Sequence, residues 1–139
     1  MARVVSGQTV EVLSGKRSQM AQVRLAGLTA PDLKQSPWGL QAKQVLEDWL
    51  LQQPVTLEIS HTDTYGRQLA YVWLDDRMIN EALLVEGYAM AYPDLGSKHT
   101  QVLTHAQHQA RLLGRGIWNP EAPMRQTPVE FRQQSPALP

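Results

Sequence analysis

The sequence predicts an α+β domain, mainly β, in which a small antiparallel barrel is joined by three helices. Three observations predict it. Short β-rich runs are separated by hairpin-type turns, apolar stripes of helical period occur in only three places, and the order is strands, helix, strands, helix, helix. Periodicity by itself leaves other α+β arrangements open.

The elements follow in order. Val4-Val5 and residues 10–13 read as short strands around Ser6-Gly7, a turn signal, and Ser14-Gly15-Lys16 is a second turn. Residues 22–28 form an apolar-rich strand. Pro31 and Pro37 make residues 30–37 a loop. Ala42, Val45, Leu46, Trp49 and Leu50 then recur at helical spacing, and Pro54 marks the end of that helix. Residues 55–59 alternate like a half-buried strand, residues 63–66 turn, and residues 68–74 are β-rich up to the Asp75-Asp76 turn. Ile79, Ala82 and Leu83 predict a short helix ending near Gly87. Val102, Leu103, Ala106, Ala110 and Leu113 predict a third, stopped by Gly114 and Gly116. Five prolines after Trp118 make residues 120–139 an extended or mobile tail. The expected division is therefore a domain over 1–119 and a Pro-rich tail over 120–139.

Composition bounds the chemistry. A chain of 139 residues with 42% hydrophobic and 19% charged content suits one globular domain with a full core. The absence of cysteine excludes disulfides, thiolate metal sites and a cysteine nucleophile. No apolar run approaches the ~20 residues that cross a bilayer, and the start has no signal-peptide core. The simplest expectation is a soluble cytoplasmic protein without a membrane partner; a processed chain would read the same. Net charge is zero, where a nonspecific nucleic-acid binder usually carries a basic excess. The charge is uneven, however. Arg3, Lys16, Arg17, Arg24 and Lys34 outweigh Glu11 and Asp32 in the first 34 residues, which leaves room for a modest basic patch. His105 and His108, three apart on the third helix, fall beside its apolar stripe and face solvent. They lack a third ligand at metal spacing.

Four stretches, in this order, resemble the staphylococcal nuclease (thermonuclease-like) family. They are Val4-Val5-Ser6-Gly7-Gln8-Thr9-Val10, Val23-Arg24-Leu25-Ala26-Gly27-Leu28-Thr29-Ala30-Pro31-Asp32, Asp63-Thr64-Tyr65-Gly66-Arg67-Gln68-Leu69-Ala70-Tyr71, and Asn80-Glu81-Ala82-Leu83-Leu84-Val85-Glu86-Gly87-Tyr88-Ala89. Pro37-Trp38-Gly39 and Gly116-Ile117-Trp118 match as well, so the resemblance spans residues 2–118. It implies an OB-fold, a five-stranded antiparallel barrel with three helices.

It also implies a reaction: calcium-dependent hydrolysis of phosphodiesters in DNA and RNA. In that chemistry calcium is held by two aspartates and a backbone carbonyl, a glutamate handles the attacking water, and two arginines clamp the phosphate. Carried over, Arg24 and Arg67 take the clamp positions and Asp32 the general-base position. Tyr65 and Tyr92 are candidates to flank a nucleotide. At the metal positions this chain departs from the family. Gln8 and Thr29 stand where aspartates belong, and Ala30 offers only its carbonyl. Calcium affinity tracks the carboxylate charge around the site, so no metal cofactor is expected. The resulting expectation is a degenerate nuclease that binds nucleic acid, another phosphate-containing ligand, or a protein through its tail. The alternative is an active phosphodiesterase with altered or no metal dependence.

Overall fold

The computed structural model describes residues 1, 3–14, 19–62, 64–92, 94 and 96–134. The turn expected at residues 14–16 lies largely outside them, as does Asp63. The strands are β1 (Arg3–Ser6), β2 (Thr9–Ser14), β3 (Gln19–Leu25), β4 (Leu28–Thr29), β5 (Thr56–Thr62), β6 (Gln68–Leu74), β7 (Arg77–Met78) and β8 (Met90–Ala91). The helices are α1 (Trp38–Leu50), α2 (Ile79–Val85), α3 (Thr100–Leu113) and α4 (Pro128–Gln134), with a 3-10 turn at Gly116–Trp118.

The main sheet runs β1-β2-β3-β6-β5, with β7 hydrogen-bonded to β6, and β4 pairs with β8 in a separate two-stranded sheet. This is the OB-fold strand path, with three corrections to the expected barrel. First, β3 and β6 pair in parallel, through Val23↔Gln68, Arg24↔Leu69 and Leu25↔Ala70. A long connection carrying α1 separates these strands, so no hairpin constrains them to be antiparallel. Second, the sheet stays open, because β1 and β5 share no ladder among the described residues. The N-terminus partly bridges that gap. Met1 donates its ammonium to the Gln53 carbonyl (2.6 Å) and accepts from the Gln52 amide (2.9 Å). Third, there are four α-helices among the described residues rather than three.

Alternation along β2, β3 and β6 turns Val10, Val12, Val23, Leu25, Ala70 and Val72 into the core, where α1 adds Leu46 and Leu50 and α2 adds Ile79 and Leu83. Each large aliphatic side chain buried this way contributes about 1.5–3 kcal/mol. The stripe on α3 is narrower than its sequence suggests. Leu103, Ala106 and Ala110 are buried, while Val102 and Leu113 are exposed. Gly7 lets the β1–β2 turn lie against α1, since a Cβ there would come 2.6 Å from the Ala42 Cβ.

One polar side chain ties these layers together. Asn80, fully buried at the start of α2, accepts from the Val72 amide (2.9 Å) and donates to the carbonyls of Ala26 (2.8 Å) and Ala70 (3.2 Å). It thereby fastens the short parallel seam between β3 and β6. A buried amide with both ends satisfied adds specificity that an apolar residue could not supply.

The tail departs most from expectation. Residues 128–134 are helical, where the prolines predicted extended chain. Thr127 and Glu130 form a reciprocal capping box: the Thr127 hydroxyl accepts from the Glu130 amide and the Glu130 carboxylate from the Thr127 amide, each at 3.1 Å. Pro128 takes the first helical position, where the missing N–H would have had no helical partner. Its ring is fully buried. No helix among the described residues is long and apolar enough to cross a membrane.

Candidate functional site

The site grows from the β1–β2 turn. Gln8, 6% exposed, is the residue before β2, and its carbonyl accepts from the Leu25 amide (2.8 Å). Its side chain reaches across to the loop after β4. There Oε1 accepts from the Ala30 amide at 2.7 Å and from the Thr29 hydroxyl at 3.5 Å. Thr29 and Ala30 are both buried. The side-chain oxygen of Gln8 is therefore committed to pinning the loop.

Asp32 lies in that loop, which is wired by short-range bonds. Its Oδ1 accepts from the Lys34 amide (3.0 Å) and its carbonyl from the Gln35 amide (2.8 Å), while its own amide donates to Gln35 Oε1 (3.3 Å). Gly39 allows the first turn of α1 to press against this loop, since a Cβ would sit 1.9 Å from the Asp32 carbonyl oxygen.

One clamp candidate lies on β3 and the other just before the adjacent β6. Arg24 sits between the buried Val23 and Leu25, so it projects from the outer face of β3. Its register partners are Thr9, next to Gln8, and Leu69. Arg67 precedes β6 by one residue, two before Leu69, and both arginines are half-buried. Tyr65 is 84% exposed, and the Arg67 guanidinium carbon lies 5.5 Å from its ring centroid, within cation–π range.

Tyr92 follows β8, and its amide donates to the Gly27 carbonyl at 2.9 Å. It lines a cavity of 140 Å³ with Gly27, Tyr71, Asp94, Thr100 and Leu103. Beside it runs a polar chain in which Tyr71 donates to Asp94 Oδ2 (2.5 Å) and contacts Ser97 Oγ (2.6 Å). His99 Nε2 meets Glu58 Oε2 at 2.9 Å. Burial, with the Asp94 hydrogen bond behind it, pushes the Tyr71 phenol up to about 12. The hydrogen bond from His99 holds the Glu58 carboxyl below its usual 4.5 against partial burial, with help from Trp73.

Sequence reasoning missed two residues at this site. Arg132, on α4, reaches back 103 positions. Its Nη1 donates to Thr29 Oγ1 at 2.9 Å and its Nη2 to the Ala30 carbonyl at 2.8 Å, while Nε lies 3.9 Å from Asp32 Oδ2. Gln35, also overlooked and buried, donates to the Gln126 carbonyl at 2.6 Å and fastens the approach to α4. The capping-box spacing of Thr127 and Glu130 was the available signal for this helix. Nothing in sequence placed its arginine.

The family described as "Staphylococcal nuclease homologue" matches residues 22–120. The chain belongs to the staphylococcal nuclease family. Its relatives include the thermonuclease of Staphylococcus hyicus, 34% identical over 125 residues, covering 84% of this chain and 73% of that protein. The thermonuclease of Staphylococcus intermedius is 36% identical over the same coverage. An uncharacterized endonuclease of Haemophilus influenzae is 31% identical, covering 96% of this chain and 72% of that protein. Gln8, Thr29, Ala30 and Asp32, which the resemblance matched to the family's metal and water positions, are thus linked to one another through Gln8 and Arg132.

Proposed function

We propose that this chain binds nucleic acid by its phosphodiester backbone, through Arg24 and Arg67, without calcium-dependent hydrolysis. The observation that carries this reading is the state of the oxygens that would face the metal. Gln8 Oε1 already accepts two hydrogen bonds, and the Ala30 carbonyl and the Thr29 hydroxyl accept from a guanidinium. Calcium takes six to eight oxygen ligands and favours carboxylates. Here the donor set is an amide, a hydroxyl and a carbonyl, with Asp32 paired to Arg132. A cation beside a guanidinium at ~4 Å meets repulsion of about 4 kcal/mol per unit charge at an effective dielectric of 20, before solvent screening. The residues present do not fit calcium.

What remains suits an anion. Arg24 on β3 and Arg67 at the entry to the adjacent β6 both carry forked guanidinium donors that match phosphate oxygens. Tyr65, exposed beside Arg67, offers a base a face to stack on, worth about 1–3 kcal/mol. Asp32 does not serve as a base in this reading; its carboxylate steadies the loop and the arginine opposite. The C-terminal helix commits Pro128 and Arg132 to its own domain, which weighs against the tail as a contact for another protein.

The test is fluorescence anisotropy of a labelled single-stranded oligonucleotide in chelator, titrated across salt. Two or three neutralised phosphates give a log–log salt slope of roughly −1.4 to −2. Arg67→Ala should weaken binding about tenfold or more. Absence of salt-sensitive binding would refute the proposal.

A further inference from the structure

The disagreement between the family's metal site and this chain's residues has a specific occupant. Arg132 stands on the Ala30 carbonyl and on Thr29, two of the three positions from which the family would bind calcium, and within ion-pair distance of Asp32. Its placement is built rather than incidental. The capping box of Thr127 and Glu130 starts the helix, buried Pro128 seats it, and Gln35 holds the Gln126 carbonyl. Two of the five guanidinium N–H groups are used by Thr29 and Ala30, and Nε is directed at Asp32. Among the described residues, one hydrogen on each terminal nitrogen is left over. The side chain is 37% exposed, so part of it faces solvent.

We infer that Arg132 is the resident cation of this site: its guanidinium replaces the exchangeable metal and contacts the bound phosphodiester beside Arg24 and Arg67. The connection to Arg24 runs through bonded neighbours. Arg132 grips the backbone that Gln8 pins, and Gln8 adjoins Thr9, the register partner of Arg24. A guanidinium carries a fixed single charge and holds no water to activate. It therefore supports phosphate binding that is indifferent to chelator, and it makes binding depend on the C-terminal helix. This inference rests on the phosphate-binding reading of the cleft.

The experiment measures affinity for a labelled oligothymidylate, in chelator and in calcium, for the parent, Arg132→Gln, Arg132→Lys, Glu130→Ala and Arg67→Gln. Hydrogen exchange at residues 129–134 reports whether α4 stays docked. The expected result has four parts. The parent binds equally with chelator and with calcium. Arg132→Gln loses about tenfold or more in affinity and its salt slope flattens by roughly 0.7, one phosphate charge. Arg132→Lys recovers part of the loss, since a point charge cannot hold both oxygens. Glu130→Ala, which loosens the helix start but keeps the guanidinium, binds nearly as the parent does.

Several outcomes overturn the inference. If Arg132→Gln binds like the parent while Arg67→Gln does not, Arg132 only anchors the tail and the phosphate-binding reading survives. Equal losses in Arg132→Gln and Glu130→Ala, with residues 129–134 still protected from exchange in both, would likewise reduce Arg132 to a tail anchor. Tighter or newly calcium-dependent binding by Arg132→Gln would make the arginine a plug over a latent metal site. No binding by the parent would remove the phosphate reading itself and this inference with it.

Discussion

Asn80 holds together β3, which carries Arg24, and β6, which Arg67 immediately precedes, so its removal is the sharpest structural perturbation available. Asn80→Ala deletes an acceptor for the Val72 amide and a donor to the Ala26 and Ala70 carbonyls. Ala70 keeps a second partner, the Ala26 amide at 2.8 Å. The Val72 amide and the Ala26 carbonyl bear the loss. Each stranded buried polar group costs about 1–3 kcal/mol, and the space vacated in a fully buried position adds to it. The expected total is about 4 kcal/mol, against the roughly 5–15 kcal/mol that holds a domain of ordinary stability. At roughly 3–4 °C per kcal/mol for a chain of this size, melting falls by on the order of 10–15 °C. Urea unfolding followed by circular dichroism gives the total. Amide exchange at Val72 localises it and should accelerate well beyond that of α3. A loss under about 1 kcal/mol, with Val72 still protected, would refute the role assigned to Asn80.

Other expectations follow from the same geometry. Gly39→Ala places a Cβ against the Asp32 carbonyl; it should cost about 1–3 kcal/mol and weaken oligonucleotide binding as the Asp32 loop shifts, read by denaturation and anisotropy together. Tyr71 has a folded pKa raised above its ordinary 10.0 to about 12, so its contribution to stability is complete below pH 10 and is lost as pH rises through about 12. Alkaline near-UV titration of the parent against Tyr71→Phe should show that late phenol disappear. Glu58 is shifted the other way. Its contribution is present above the usual 4.5 and is lost as pH falls through the lowered folded value. Because Glu58 is 36% exposed at its side chain, screening keeps the effect of His99→Phe under about 1 kcal/mol, seen as a less steep acid limb in stability against pH.

Much of the fold was legible because it rests on local periodicity. The stripe from Ala42 to Leu50 became α1, and the alternation around Val10, Val23 and Val72 became the inward face of the sheet. The parallel β3–β6 seam was not legible, since strand direction across a long connection depends on tertiary placement. Composition misled at the tail: its prolines suggested extended chain, yet Thr127-Pro128-Val129-Glu130 is a helix start in which proline fits the first turn. On the site, motif order nominated Arg24, Asp32, Arg67, Gln8, Thr29 and Ala30, and the structure brings the last two together with Gln8, Asp32 and Arg132. Tyr92 was named by looser analogy, and it lines the cavity around Tyr71. Arg132 acts across 103 residues, a separation that no spacing rule covers.

The most direct test of phosphate binding without calcium chemistry is cleavage of single-stranded DNA and RNA by the purified chain, in calcium and in chelator, with Arg67→Ala beside it to expose a contaminating nuclease. The strands are expected to remain intact in every lane while the parent still binds them. Cleavage that requires calcium and vanishes with Arg67→Ala would contradict this, and would mean that Gln8, Thr29 and Ala30 release their present partners to hold a metal.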